Sequence, residues 1–291
     1  MIPRSFEYSA PGTLTEAVSL LQKLGPDAKI LSGGQSLIPM MKLRLASPPH
    51  VVDINRIPGL DYIKEEGGAL RIGALVRESD LERSELVRSR FPILVDTTSV
   101  IADPLVRNQA TVCGNLAHGD PANDHPATML ALGASVVAIG PTGEREIPVE
   151  SFFPGLFTTA LQPNEILKEI RIPIPPPSSG GAYLKLERKV GDYATAGVAV
   201  QITLAGSGEC SRAGIGMTNV GFTPLKATKA EMFLKGKMLD ESTIKQASEL
   251  AAGEAQPADD IRGPADYKRD LVRVLAARAL KLALSRAKGG A

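Results

Sequence analysis

A mixed α+β fold of more than one unit is predicted by three features of the 291-residue sequence. Strand-like and helix-like stretches alternate over residues 1–57. A proline run grading into serine and glycine, PIPPPSSGG at 173–181, reads as a boundary. Beyond it, two strand patterns precede three helical ones, as in a sheet covered by helices. The length suggests one large domain or two to three smaller ones.

Taken in order, residues 14–24 (LTEAVSLLQKL) carry an amphipathic helix pattern, with Thr13 as cap, Glu16 three residues on and Gly25 as stop. AKIL (28–31) and HVVDIN (50–55) read as strands on either side of a glycine pair. ALRIGALV (69–76) is another strand candidate, and residues 79–102 hold two helix-like patterns broken near Pro92. Residues 102–127 read as loop-rich, and SVVAIG and REIP, joined by PTGE, as a hairpin. EILKEIRIPIP (165–175) runs into the proline boundary. ATAGVAVQITLAG and CSRAGIGMTNVG read as strands joined by GSGE. Helical patterns cover 226–235, 241–253 and 265–287; the last has basic residues toward its C-terminal end, which suits the helix dipole, and an apolar stripe that reads as core.

Composition excludes several functions. Hydrophobic residues make up 43% and charged ones 22%, a globular balance. Lys and Arg number 33 against 32 Asp and Glu, so no global field draws nucleic acid or an anionic membrane. Trp is absent and aromatics are 4%, too few for a base-stacking surface. No apolar run reaches the roughly 18 to 20 residues of a membrane span. The N-terminus, MIPRSFEYSAPGT, lacks the apolar stretch of a signal peptide, so the expected location is the cytoplasm. Cys113 and Cys210 make no disulfide framework and cannot hold an iron–sulfur cluster, which normally takes four thiolates. His50, His118 and His125 form no zinc pattern. With no nucleophile–base pair in view, no catalytic and no metal-binding residues are expected, and any difficult chemistry would come from a cofactor.

Two glycine stretches carry the functional signal. In SGGQS, Ser32 and Ser36 offer hydroxyls, Gln35 an amide, and Gly33 and Gly34 bare backbone N–H groups, the makings of an anion-binding nest. The stretch fits neither the Rossmann nor the Walker pattern, and alone it reads more readily as an ordinary strand-to-loop turn. TVCGN (111–115) is a second small-residue turn, and LAHGDPANDHPA after it offers Asp120 and Asp124 as acceptors for sugar hydroxyls. Two cradles and a carboxylate loop suit a ligand with a pyrophosphate and a ribose.

These stretches, SGGQSLIPMMKLRLASPPHVVDIN, IADPLVRNQATVCGNLAHGDPANDHPA and YLKLERKVGDYATA, resemble the FAD-binding subunits of the molybdenum hydroxylase (xanthine dehydrogenase) family. The likeness covers essentially the whole chain and is strongest to the branch that oxidises carbon monoxide aerobically. It implies the FAD-binding fold of the vanillyl-alcohol oxidase and p-cresol methylhydroxylase type: two α/β subdomains, 1–57 and 58–176, and a C-terminal α+β subdomain, 177–291. Carried over, it makes Ser32, Gly33, Gly34, Gln35 and Ser36 the first pyrophosphate loop. Thr111, Gly114 and Asn115 become the second, with His118 just beyond. It puts Asp124 near the adenosine ribose, Leu167 against the dinucleotide, Lys185 near the flavin ring, and Asp192 and Tyr193 along the ring's face. One departure is Cys113, where the family pattern T-x-G-G-N has glycine; a side chain there must find room or shift the turn.

The resemblance further implies partners. A large subunit would hold the molybdenum cofactor, and a small one two [2Fe-2S] clusters. FAD on this chain would pass electrons to a quinone or NAD+, in a dimer of heterotrimers located in the cytoplasm or at the inner face of the membrane. Lys185 would favour the reduced, anionic flavin. The expected substrate of the complex is carbon monoxide, with N-heterocycles and aldehydes as alternatives. A stand-alone flavin oxidase and a non-enzymatic assembly protein are the other readings.

Overall fold

The structure, a computed structural model, describes residues 2–290. It contains three sheets in chain order. The first is a parallel sheet of β1 (Glu7–Ser9), β2 (Ala28–Leu31) and β3 (His50–Asp53), ordered β1-β3-β2. Helix α1 (Leu14–Leu24) links β1 to β2, and α2 (Leu37–Lys42) follows β2. Thr13 caps α1 by accepting from the Glu16 amide at 3.2 Å, and Glu16 reaches back to the Gly12 amide at 2.8 Å. Gly25 stops the helix at φ 79°, where a side chain would be strained. Ala17, Val18 and Leu21 bury one face of α1 against Val52 and Ile54.

The second sheet is antiparallel, ordered β4-β5-β8-β6-β7: β4 (Ile63–Glu66), β5 (Ala69–Gly73), β6 (Ser135–Gly140), β7 (Gly143–Pro148) and β8 (Ile166–Pro173). Between β5 and β6 run α3 (Glu78–Arg83), α4 (Glu85–Arg90), α5 (Pro92–Ser99), α6 (Pro104–Arg107), α7 (Val112–His118) and α8 (Asp124–Leu132). The expected loop-rich stretch 102–127 is thus largely helical. Its helices are short, and α8 is buried along its whole length, so no polar face marks it in the sequence. Pro126 falls in the first turn of α8, where a missing N–H costs nothing.

The third sheet, β12-β11-β10-β9, is antiparallel: β9 (Ser179–Leu186), β10 (Ala196–Leu204), β11 (Cys210–Thr218) and β12 (Leu225–Lys226). Strand β9 begins inside the glycine end of the stretch read as a boundary. Helices α9 (Thr228–Leu234), α10 (Glu241–Glu254) and α11 (Ala265–Ala287) close the chain. Consecutive glycines of β9 face opposite ways, as the pleat requires. A β-carbon on Gly180 would strike Ala283 of α11, and one on Gly181 would approach Ile93 of α5. The sheet therefore lies between α11 on one face and α5 and α8 on the other. The apolar stripe of α11 is core: Val272, Ala276, Ala279, Leu280 and Ala283 are fully buried.

Candidate functional site

Where β2 ends, the chain enters the loop Ser32–Ser36, which runs into α2. The second loop, Gln109–Thr111, ends at the start of α7. The two loops touch. Ser32 and Thr111 share a hydroxyl–hydroxyl hydrogen bond of 2.9 Å. A β-carbon on Gly33 would lie 2.5 Å from the Gln109 carbonyl oxygen and 2.8 Å from the Thr111 nitrogen. One on Gly114 would lie 2.5 Å from Thr111 Oγ1. Gly34 has φ +74°, a left-handed conformation that favours glycine. The loops meet because Gly33 and Gly114 carry no side chain.

Together they line a cavity of about 450 Å³. Ser32, Gly33, Gly34, Gln35, Ser36, Thr111, Gly114, Asn115 and His118 all face it. Among the described residues, the amides of Gly33, Gly34, Gln35 and Ser36 donate to no protein acceptor. The side-chain oxygen of Asn115 is buried without a partner. Four free donors and an orphaned polar atom around one cavity fit an anionic ligand with further polar groups. The His118 ring packs on Phe157 with centroids 5.4 Å apart, and burial lowers its pKa, so it sits there neutral.

Cys113 does not disturb the turn. It lies in α7, 2% exposed, with its thiol near the carbonyls of Ile72 and Gly73 at 3.6 and 3.5 Å. Burial pushes the thiol well above its ordinary pKa, leaving it protonated and inert. The side chain found room in the core.

The remaining expected residues lie elsewhere. Asp124 is 6% exposed, with Oδ1 accepting from the Tyr183 hydroxyl at 2.5 Å and Oδ2 from Lys185 Nζ at 3.1 Å. Each of its oxygens thus accepts one hydrogen bond from inside the protein. The Lys185 side chain is 1% exposed. It also donates to the carbonyls of Val100 at 2.7 Å and Asp192 at 3.1 Å. Glu187 Oε2 lies 3.3 Å from the same ammonium, and through the Asp192 carbonyl Lys185 fastens the 192–193 segment. Asp124 and Lys185, expected at opposite ends of a dinucleotide, are an ion pair. Tyr193 is 45% exposed beneath the Arg262 guanidinium, which also donates to Asp192 at 3.1 Å. Leu167 lies apart, 5% exposed in the core beside Ala138.

Sequence reasoning missed two groups. Phe157, Thr158, Thr159 and Leu161 form the far wall of the cavity. The Phe157 amide donates to the Gly119 carbonyl at 3.1 Å, and Phe157 takes φ 50°, a strained conformation for an aromatic residue. The stretch GLFTTA between two elements was the available signal. The second group, Asn55 and Arg77, left no local signal, because its partners lie far away in sequence.

Comparisons with known proteins agree over the whole chain. Residues 4–175 match the family model for the FAD binding domain in molybdopterin dehydrogenase, and residues 181–283 match that for the CO dehydrogenase flavoprotein C-terminal domain. The carbon monoxide dehydrogenase medium chain of Hydrogenophaga pseudoflava is 46% identical over 98% of this chain and 99% of its own length. That of Afipia carboxidovorans is 46% identical over 99% of this chain and all of its own. A solved structure of carbon monoxide dehydrogenase from Hydrogenophaga pseudoflava superposes with a TM-score of 0.95 at 48% identity, covering 98% of this chain and 99% of that one.

Proposed function

The chain belongs to the FAD-binding family of molybdopterin dehydrogenases, of the carbon monoxide dehydrogenase flavoprotein type, and from that membership we propose that it is the electron-transferring subunit of a heterotrimeric molybdenum hydroxylase. Its substrate-oxidising partner is a large molybdenum-binding subunit, and its electron donor a small subunit with [2Fe-2S] clusters. The acceptor is a quinone or NAD+. Carbon monoxide oxidation is the first reading for the complex, since two medium chains of that name are 46% identical to this chain over 99% and 100% of their own length. The trimers pair into a dimer.

The observation that carries the proposal is the cavity between the two loops, where four backbone amides lack acceptors. The FAD pyrophosphate lies against Gly33, Gly34, Gln35 and Ser36 on one side and Thr111, Gly114 and Asn115 on the other. His118, Asp120 and Tyr193 would contact the rest of the dinucleotide, Tyr193 at its ring end. Bound FAD supplies the exchange between one-electron and two-electron carriers; the residues named bind it, orient it and exclude water. The units that do this are 1–57 and 58–176, with 177–291 as the flavoprotein domain that supplies Tyr193.

An absorption spectrum tests the reading. The purified chain, alone and assembled with its two partner subunits, is mixed with FAD and desalted. A retained flavin spectrum, bleached by substrate only in the assembled complex, is the expected result. Flavin bleached by substrate in the isolated chain would instead make it a stand-alone oxidase. No retained flavin in either state would overturn the cofactor site.

A further inference from the structure

Between the cavity loops and the first sheet lies a chain of hydrogen bonds that the proposed contacts to FAD do not include. Asn55 follows β3, and its side-chain amide donates to the Ser32 carbonyl at 2.7 Å and to Asp53 Oδ1 at 2.7 Å. Its oxygen accepts from Arg77 Nη2 at 2.7 Å. The other Arg77 nitrogen, Nη1, donates to the Gln109 carbonyl at 2.6 Å. Asp53 is itself fixed by the Tyr8 hydroxyl at 2.7 Å and the Asn55 amide at 2.8 Å.

Every side-chain group of Asn55 is thus engaged, and the amide has only one orientation that serves all its partners. Ser32 opens the first loop. Gln109 opens the second and is the residue whose carbonyl faces Gly33. The bridge therefore starts on one loop and ends on the other, although the two are far apart in sequence. Planar groups suit this task, because an amide and a guanidinium each present two directed bonds from one rigid plane. Lysine has the charge of Arg77 but not its fork.

We infer that Asn55 and Arg77 are positioning residues that set the separation of the two loops and thereby the affinity for the dinucleotide. The inference rests on the FAD reading above. Asn55 touches Ser32 only through its carbonyl, which leaves the loop's free amides to the ligand. Arg77 is half-buried behind the second loop, and burial lowers its pKa from the ordinary arginine value.

The test is a fluorescence titration of FAD onto the flavin-free complex of the full-length chain with its two partner subunits, the chain being unmodified or Asn55→Ala, Arg77→Lys and the double variant. Melting of each without FAD is followed by far-UV dichroism. The expected result is at least a tenfold weaker Kd for each single variant. The double variant should be no weaker than the worse single, since the two residues act through one bridge. Arg77→Lys is decisive, because it keeps the charge, loses only the fork, and is the variant least apt to disturb folding. Full affinity in Arg77→Lys would overturn the bridge and leave charge as the role of Arg77. Additive losses in the double variant would also overturn it. If the unmodified chain binds FAD but Asn55→Ala binds it equally, the positioning role fails alone. If the complex with the unmodified chain binds none, the underlying reading fails and takes the bridge with it.

Discussion

At Gly33 a β-carbon would meet backbone of the second loop, and at Gly34 it would meet Ile38 at 2.7 Å on a left-handed residue. The glycine pair is therefore required by loop packing before any ligand arrives; the ligand's share of the site is the unpaired amides. A reading that assigns such a pair wholly to a bound phosphate credits the ligand with what the fold already demands. Lys185 illustrates the same point. Burial pushes the Asp124 carboxyl above its usual range, and Lys185 and Tyr183 hold it down in part. Replacing Lys185 by Met removes that restraint and strands a buried carboxylate, at a cost of about 3 to 5 kcal/mol near neutral pH. A carboxyl whose folded pKa is raised contributes stability that is whole below its unfolded pKa and is lost as pH rises through the folded one. The Lys185→Met deficit should then be larger at about pH 8 than at about pH 5 in urea unfolding of both proteins. A deficit that grew on acidification would show that Asp124 is not the group left unpaired.

Among the elements, those with strong periodicity were legible: α1 with its Thr13 cap, α10 and α11, the hairpin of β6 and β7, and the pair β10 and β11. Strands β1 and β4 were not, because they are short edge strands whose exposed positions carry no alternation. The site divided in the same way. The glycine loop 32–36 and the TVCGN stretch stood out because local backbone geometry dictates local sequence, although TVCGN is the Thr111-capped start of α7 and not a turn. The far wall at 157–161, the pairing of Asp124 with Lys185 and the Asn55–Arg77 bridge are set by contacts between distant segments, which no local pattern encodes. Helix α8 is the sharpest case. It presses so closely on β11 that a β-carbon on Gly214 would lie 2.0 Å from the Ala131 carbonyl oxygen, and one on Gly216 1.9 Å from that of Ala127. The glycines alternate along β11 with the buried Ile215 and Met217, which pack toward the opposite face. Gly216→Val must push α8 outward, and with it Asp124 at its first turn. Overpacking of this kind costs about 1 to 3 kcal/mol or more. Chemical denaturation should show that loss, whereas Gly206→Val, at a position open to solvent, should be nearly silent.

On the scale of the whole molecule, the three sheets do not correspond to three separate cores. Tyr183 and Ala199 of the third sheet belong to the central cluster, and Leu60, Leu75 and Ile166 join the cluster under the first. Polar contacts reinforce the junction with the C-terminal part. Arg286, near the end of α11, forms a bidentate pair with Asp96 of α5 at 2.6 and 3.1 Å and donates to the Gly181 carbonyl at 2.7 Å. Asp96 in turn accepts from the Tyr183 amide at 3.2 Å. One guanidinium thus ties the last helix, the third sheet and the middle helices together. Its side chain is 19% exposed, so solvent screens it little. A chain built this way should melt in one transition, with calorimetric and van't Hoff enthalpies in agreement. Arg286→Ala removes charged hydrogen bonds worth about 1.5 to 3 kcal/mol each and leaves the Asp96 carboxylate with the Tyr183 amide alone. The expected calorimetric outcome is a midpoint lowered by several degrees and a calorimetric enthalpy exceeding the van't Hoff value, as the C-terminal part begins to melt on its own. Because Tyr193, the proposed ring contact, lies in that part, FAD added before heating should restore a single transition in the variant. An unchanged midpoint, or two transitions already present in the unmodified chain, would mean that apolar contact alone holds the parts together and that Arg286 merely covers the seam.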